Sequence, residues 1–229
     1  MSSVNSMRTE VTEYDRISLC NGYFFAALAS VGWSRCGDTK QLIYRSTNED
    51  WWSTLLNKAY DLWNTGITSG CSDSVDACDG AGNPALICQR LVGGNIVYKH
   101  HNETSVGELT GFIRRNCRGE FSINPMVAWT HSVAPKDCEY IAKCVVPSHA
   151  YSVLGLAYAN GENYVVLRNP WGMYEAKTDT LMGCWCPYQY SHLRVQLNRN
   201  GVFAMRISNF KKYFCGCESR MHLIVVRCL

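Results

Sequence analysis

His149 opens the run "HAYSVLGLAYA" and Asn169 closes the run "NYVVLRNP". Between them Asn160-Gly161 separates two strand-like segments, the strongest short-range signal for a β-hairpin. A hairpin folded at that point sets the beginning of one strand beside the end of the next, so the spacing predicts that His149 and Asn169 come together. A histidine with one ring nitrogen held by an amide side chain is an oriented general base, and such a pair normally serves a cysteine thiol. The thiol is best placed at a helix N-terminus, where the helix dipole and a nearby imidazolium both favour the thiolate. The helix that could supply it begins near Gly22.

The elements that must position these residues divide the chain in two. "GYFFAALASVGW" reads as a buried helix, with Phe24, Phe25, Leu28 and Val31 at helical spacing and Ala26, Ala27 and Ala29 permitting close packing. "NEDWWSTLLNKAYDLWN" predicts a second helix capped by Asn48 or Asp50, and Gly66 is a plausible stop. Turn-forming residues then accumulate through "SGCSDSVDACDGAGNP" before another short apolar segment. "SVGELTGFIRRNC" predicts a further helix with Leu109, Phe112 and Ile113 on one side. Beyond it "MVAWTHSV", "HAYSVLGLAYA", "NYVVLRNP", "GVFAMRI" and "MHLIVVRC" follow strand grammar. The expectation is an α+β chain of two lobes, helical over residues 1–94 and β-rich over residues 95–229.

The 229 residues, 47% of them apolar, suffice for a substantial core. A formal net charge of +3, with the charges scattered, argues against a nucleic-acid partner. There is no run of about 18 apolar residues and no leader pattern at the N-terminus, so the expected location is cytoplasmic, with no membrane span. The 13 cysteines are odd in number in a long chain, which reads as reduced thiols rather than a disulfide scaffold.

"SHAYSVLGL" followed by "LRNPWG" resembles the histidine and asparagine motifs of the calpain cysteine proteases. "YFFAALASV" is similar to the start of that family's nucleophile helix. "WWSTLLNKAY" resembles its W-x-x-L-L-E-K-A-Y stretch, and "NGVFAMRISNFKKYF" its closing D-G-x-F-W-M-x-x-x-D-F motif. The blocks cover most of the chain in the family's order. The resemblance implies a two-lobed papain-like core in which His149 is the base, Asn169 its orienter and Trp171 a supporting neighbour.

Carried over residue by residue, the family's Q-G-x-L-G-D-C-W corresponds to Arg16-Ile17-Ser18-Leu19-Cys20-Asn21-Gly22-Tyr23. The nucleophile position is therefore Gly22, and Arg16 stands at the position of the oxyanion-stabilising glutamine. Cys20 is the alternative nucleophile, displaced by two residues, which moves a Cα by several Å. The resemblance also suggests calcium, but the family's acidic E-D-F-T-G-G turn reads Gln89-Arg90-Leu91-Val92-Gly93-Gly94 here, and Asn198 and Asn200 occupy its later acidic position. No cofactor is expected.

Cys184-Trp-Cys186 and Cys215-Gly-Cys217 are spaced more tightly than usual zinc pairs, and packing is the favoured reading. "GAGNP" lacks the lysine and hydroxyl residue of a phosphate loop and reads as a turn. Two functions follow for testing. The first is a catalytically silent calpain-like domain that binds a peptide or protein in its inter-lobe cleft. The second is an active cysteine endopeptidase, using Cys20 or a cysteine native to position 22.

Overall fold

The computed structural model describes residues 22–35, 83–119, 121–132, 145–170 and 201–221. Within them lie four helices, α1 (Gly22–Arg35), α2 (Pro84–Val92), α3 (Val106–Arg115) and α4 (Ile207–Tyr213). The strands are β1 (Asn95–His100), β2 (Cys117–Arg118), β3 (Phe121–Ser122), β4 (Met126–Thr130), β5 (Ala150–Ala159), β6 (Glu162–Arg168), β7 (Val202–Arg206) and β8 (Phe214–Met221). They form one antiparallel sheet in the order β1-β8-β4-β5-β3-β2, and β6 joins β5 to β7. The class is α+β.

Local chemistry explains where the elements begin and end. Asn83 caps α2 by accepting from the Ala85 N–H, and Pro84 follows at a position where its missing N–H costs nothing. Helix α3 starts with a reciprocal capping box between Ser105 and Glu108. The β5–β6 hairpin closes at Ala159 and Glu162. Its two turn residues, Asn160 (φ 49°) and Gly161 (φ 80°), are both left-handed, as a type I′ turn requires.

Helices cover both faces of the sheet. On one face Phe24, Phe25, Ala26 and Ala27 of α1 and Ile87 and Cys88 of α2 pack on Val127 and Ala150. On the other, Leu109, Phe112 and Ile113 of α3 and Ile207, Phe210 and Tyr213 of α4 meet Tyr151, Val153, Phe203, Phe214 and their neighbours. Helix α1 is also tied to the sheet by polar bonds. Ser30 Oγ lies 2.7 Å from both the amide and the carbonyl of Met126, and Ser152 Oγ donates to the Ala26 carbonyl at 2.8 Å. Trp33 Nε1 donates to the Leu154 carbonyl at 2.7 Å. That residue falls at a register shift in the β5–β6 ladder, between Val153 and Gly155.

Strand β8 carries two buried charged residues, Glu218 and Arg220, and both act on the Cys88 thiol of α2. Burial pushes the Glu218 carboxyl up to about 8.

The expected strands in 126–133, 149–159, 163–170 and 201–207 are found, as are the helices at Gly22 and in 105–117. Among the described residues every strand lies at 95 or beyond, although α3 and α4 lie there too. Strands β1, β2, β3 and β8 and helices α2 and α4 were not anticipated. The helix expected in 48–64 and the strand expected in 221–228 lie outside the described residues, apart from Met221. One expectation needs correction: a regular strand would turn Cys215 and Cys217 the same way. The β4–β8 ladder slips between Trp129 and Thr130, pairing them with Gly216 and Phe214 and leaving Cys215 as the extra residue. The slip lets Phe214 and Cys217, three apart, enter the same core cluster, which Cys215 does not join.

Candidate active site

The hairpin brings His149 and Asn169 together at one end of the β5–β6 pair. His149 Nε2 and Asn169 Oδ1 are 2.9 Å apart, and both residues are buried. An amide oxygen only accepts, so Nε2 carries the proton and the neutral ring keeps its basic lone pair on Nδ1. Asn169 is itself seated by its main chain, whose N–H donates to the Gly201 carbonyl at 2.8 Å. The Tyr151 ring packs edge-on against the imidazole with centroids 5.0 Å apart.

Burial lowers the His149 imidazole to about 4, with the bond to Asn169 opposing the shift. The ring is therefore neutral at physiological pH. Charging it in this setting needs a compensating anion.

Helix α1 packs close to this region. Gly22 is its first helical residue, and Phe24 to Ala27 pack with Ala150, the residue that follows His149. The bond from Ser152 to Ala26 fixes the same approach. An attacking group at position 22 would profit from the helix N-terminus, but glycine offers none. Burial holds the thiols of Cys88 and Cys217 well above the ordinary range and that of Cys117 at about 12, so these three are packing residues and not thiolates. Arg16, Cys20 and Trp171 lie outside the described residues, as do Asn198, Asn200, Cys184 and Cys186.

The segment at which the resemblance suggested calcium forms the end of α2 and its cap. Gln89 Nε2 donates to the Gly94 carbonyl at 3.1 Å, and the Gly93 N–H donates to the Gln89 carbonyl at 2.6 Å. A β-carbon at Gly93 would sit 3.9 Å from an Arg220 guanidinium nitrogen. An amide, two guanidinium groups and no carboxylate do not suit a hard dication. No group of three or more acidic, histidine or cysteine ligands occurs among the described residues.

Sequence reasoning missed Thr130 and Tyr151, which surround His149. The threonine is buried at the end of β4, and its hydroxyl accepts the His149 N–H at 3.0 Å. The Tyr151 hydroxyl accepts the Val146 N–H at 3.0 Å. The available signal was the position of Tyr151 two residues after the histidine, on the same side of the strand.

A family model for the calpain family cysteine proteases matches residues 29–219, and the chain belongs to that family. The match begins after Gly22 and contains both His149 and Asn169. A similar curated protein is the "Thiol protease" of Porphyromonas gingivalis (strain ATCC BAA-308 / W83), 26% identical over 177 residues. The alignment spans 73% of this chain and 35% of that protein, about a third of its length. No helix among the described residues is long and apolar enough to cross a membrane.

Proposed function

We propose that this calpain-family domain is silent as a protease in its present sequence and serves as a peptide- or protein-binding module in the cytoplasm. The cleft would lie between a helical lobe, residues 1–94, and a β-rich lobe, residues 95–229. The reading rests on one combination: an intact, oriented His149–Asn169 pair beside a helix whose first residue is Gly22. Hydrolysis by this chemistry needs a sulfur lone pair to attack the carbonyl carbon, and glycine supplies none. Arg16 at the oxyanion position removes a second element, because a charged fork cannot reproduce a neutral amide donor. An extended peptide can still pair its backbone within such a cleft.

The second reading is a working cysteine endopeptidase, and the preserved 2.9 Å pair favours it, as does the relative named as a thiol protease. With a thiol in place, His149 would take the thiol proton as the sulfur adds to the carbonyl. It would return that proton to the departing amine, and Asn169 would hold the ring throughout. Incubation with an irreversible peptidyl epoxide, followed by intact mass and peptide mapping, separates the readings. The silent domain stays unmodified at the cleft, whereas one adduct on Cys20 with peptidase activity lost in Cys20→Ala would overturn it.

A further inference from the structure

We propose that Thr130 is the positioning residue that aims the His149 imidazole, clamping the histidine main chain through both its own N–H and its hydroxyl. His149 lies one residue before β5, where regular pairing has stopped, and it follows Ser148, whose φ of 50° turns the chain sharply. A residue in that position has no ladder to hold it. The last regular β4–β5 pair is Trp129 with Ala150, so Thr130 stands opposite His149.

Three bonds converge there. The Thr130 N–H donates to the His149 carbonyl at 3.0 Å, continuing the ladder by one main-chain bond. The return bond comes from the side chain, because the His149 N–H donates to Thr130 Oγ1 at 3.0 Å. The hydroxyl proton then goes to the Val146 carbonyl at 2.7 Å, and the His149 carbonyl lies 3.2 Å from the same oxygen. One side chain thus ties the histidine peptide to the strand on its N-terminal side of the turn. Ser148 adds a bond from its N–H to the His131 carbonyl at 3.0 Å.

These bonds fix the direction in which the Cα–Cβ bond of His149 leaves the chain, and that direction decides whether Nε2 meets Asn169 Oδ1. The tolerance is narrow, since a misplacement of about 1 Å in a reacting group costs on the order of a hundredfold in rate. Neither Ala nor Val at position 130 could accept the His149 N–H, and a buried amide without an acceptor is costly enough to force the turn to move. Serine keeps the hydroxyl and the whole pattern.

The decisive comparison is between Thr130→Val, which keeps shape, and Thr130→Ser, which keeps the hydroxyl. Labelled histidine side chains would be followed by NMR across pH, with the His149 signal assigned by its loss in His149→Gln. In Thr130→Val the His149 midpoint is expected to rise from about 4 towards the ordinary 6.5 as the ring loosens from its buried seat, and the Nε2-protonated signature to fade. Thr130→Ser should match the parent. An unchanged His149 midpoint and tautomer in Thr130→Val would overturn the assignment, as would equal changes in both variants. Should the valine variant not fold, amide exchange in the parent decides: the His149 N–H must be strongly protected, and rapid exchange refutes the clamp.

The catalytic arm of the test rests on the endopeptidase reading. With Gly22→Cys as the parent, Thr130→Val should lower kcat at least tenfold with KM held. An inactive Gly22→Cys parent would count against that reading alone, while the imidazole titration still decides Thr130.

Discussion

Replacing Gly22 by cysteine tests whether position 22 faces the imidazole. Gly22 is already helical, so the cysteine fits the backbone without strain. The structure supplies the magnitude. Lowering His149 from 6.5 to about 4, at about 1.4 kcal/mol per unit, means that charging the buried ring costs roughly 3 kcal/mol more than in water. A thiolate about 4 Å away attracts the imidazolium by about 4 kcal/mol at an effective dielectric constant of about 20, and the N-terminus of α1 adds about 0.5–1 kcal/mol in favour of the anion. The attraction therefore offsets the burial cost. His149 in Gly22→Cys is expected to titrate at or above 6.5, and the new thiol below its ordinary value. Histidine NMR against pH reads the first, and the pH dependence of iodoacetamide alkylation at position 22 reads the second. Turnover should still fall about a hundredfold or more short of a complete site, because Arg16, on the proposed alignment, would leave one oxyanion donor missing. A folded Gly22→Cys protein with His149 still near 4 would refute the placement of position 22 against the ring. Full activity would refute the role given to Arg16.

Stability should peak near pH 6.5. His149 and His101 are both lowered to about 4, so the unfolded chain binds more protons than the folded one between pH 4 and 6.5, and stability falls on acidification through that window. Glu218 is raised to about 8 from 4.5, so the folded chain holds the extra proton there and stability declines as pH rises through that interval. Thermal melts across pH should show the peak, and in Glu218→Gln the decline above pH 6.5 should flatten; an unaltered alkaline limb would refute the buried, proton-holding carboxyl. Ser148→Gly should stabilise by roughly 0.5 kcal/mol, as relief of about 1–2 kcal/mol at a left-handed residue exceeds the extra chain entropy of glycine; urea titration measures it, and a loss above 1 kcal/mol would contradict it. Gly216→Ala should destabilise by about 1–3 kcal/mol, because the new methyl would overlap Trp129 Cζ2 and sit 2.9 Å from the Lys99 carbonyl oxygen; urea titration again decides, and wild-type stability would contradict it. Calorimetric titration with calcium should give no micromolar binding, since the end of α2 offers Gln89 and Arg90 where carboxylates would be needed; a strong saturable heat would contradict that.

The hairpin and its consequence were legible because they depend on local chemistry. Asn160-Gly161 dictates a two-residue turn, the turn dictates register, and register carries His149 to Asn169 without reference to the rest of the fold. Helix α1 was equally plain, since a run so uniformly apolar had to be buried. What escaped notice depended on partners distant in sequence. Strand β8, "FCGCESRM", contains one glutamate and one arginine, charges that argue against a buried strand, and only its place between β1 and β4 makes sense of it. Helix α4 follows β7 without any loop and without a side-chain cap, so no start signal announced it. Helix α2 did have a signal, Asn83 before Pro84, but the preceding glycine-rich stretch made it look like part of a turn. Thr130 could not be identified at all, because a threonine at the end of a strand is ordinary until the residue across the ladder is known to be His149.

The order of the His149–Asn169 pair has a physical basis that does not require catalysis. Among the described residues, the His149 main chain is held by Thr130, the ring by Asn169 and Tyr151, and Asn169 by the Gly201 carbonyl. On the proposed alignment, a glycine at position 22 would remove chemistry without removing these bonds, and it would spare the fold the cost of a thiolate–imidazolium pair in a buried site. Burial sets the protonation state of the imidazole and the scaffold sets its orientation. The same independence explains why a well-formed pair cannot by itself identify an active enzyme. Geometry at His149 reports on the sheet, whereas the titration of His149 reports on what stands across from it.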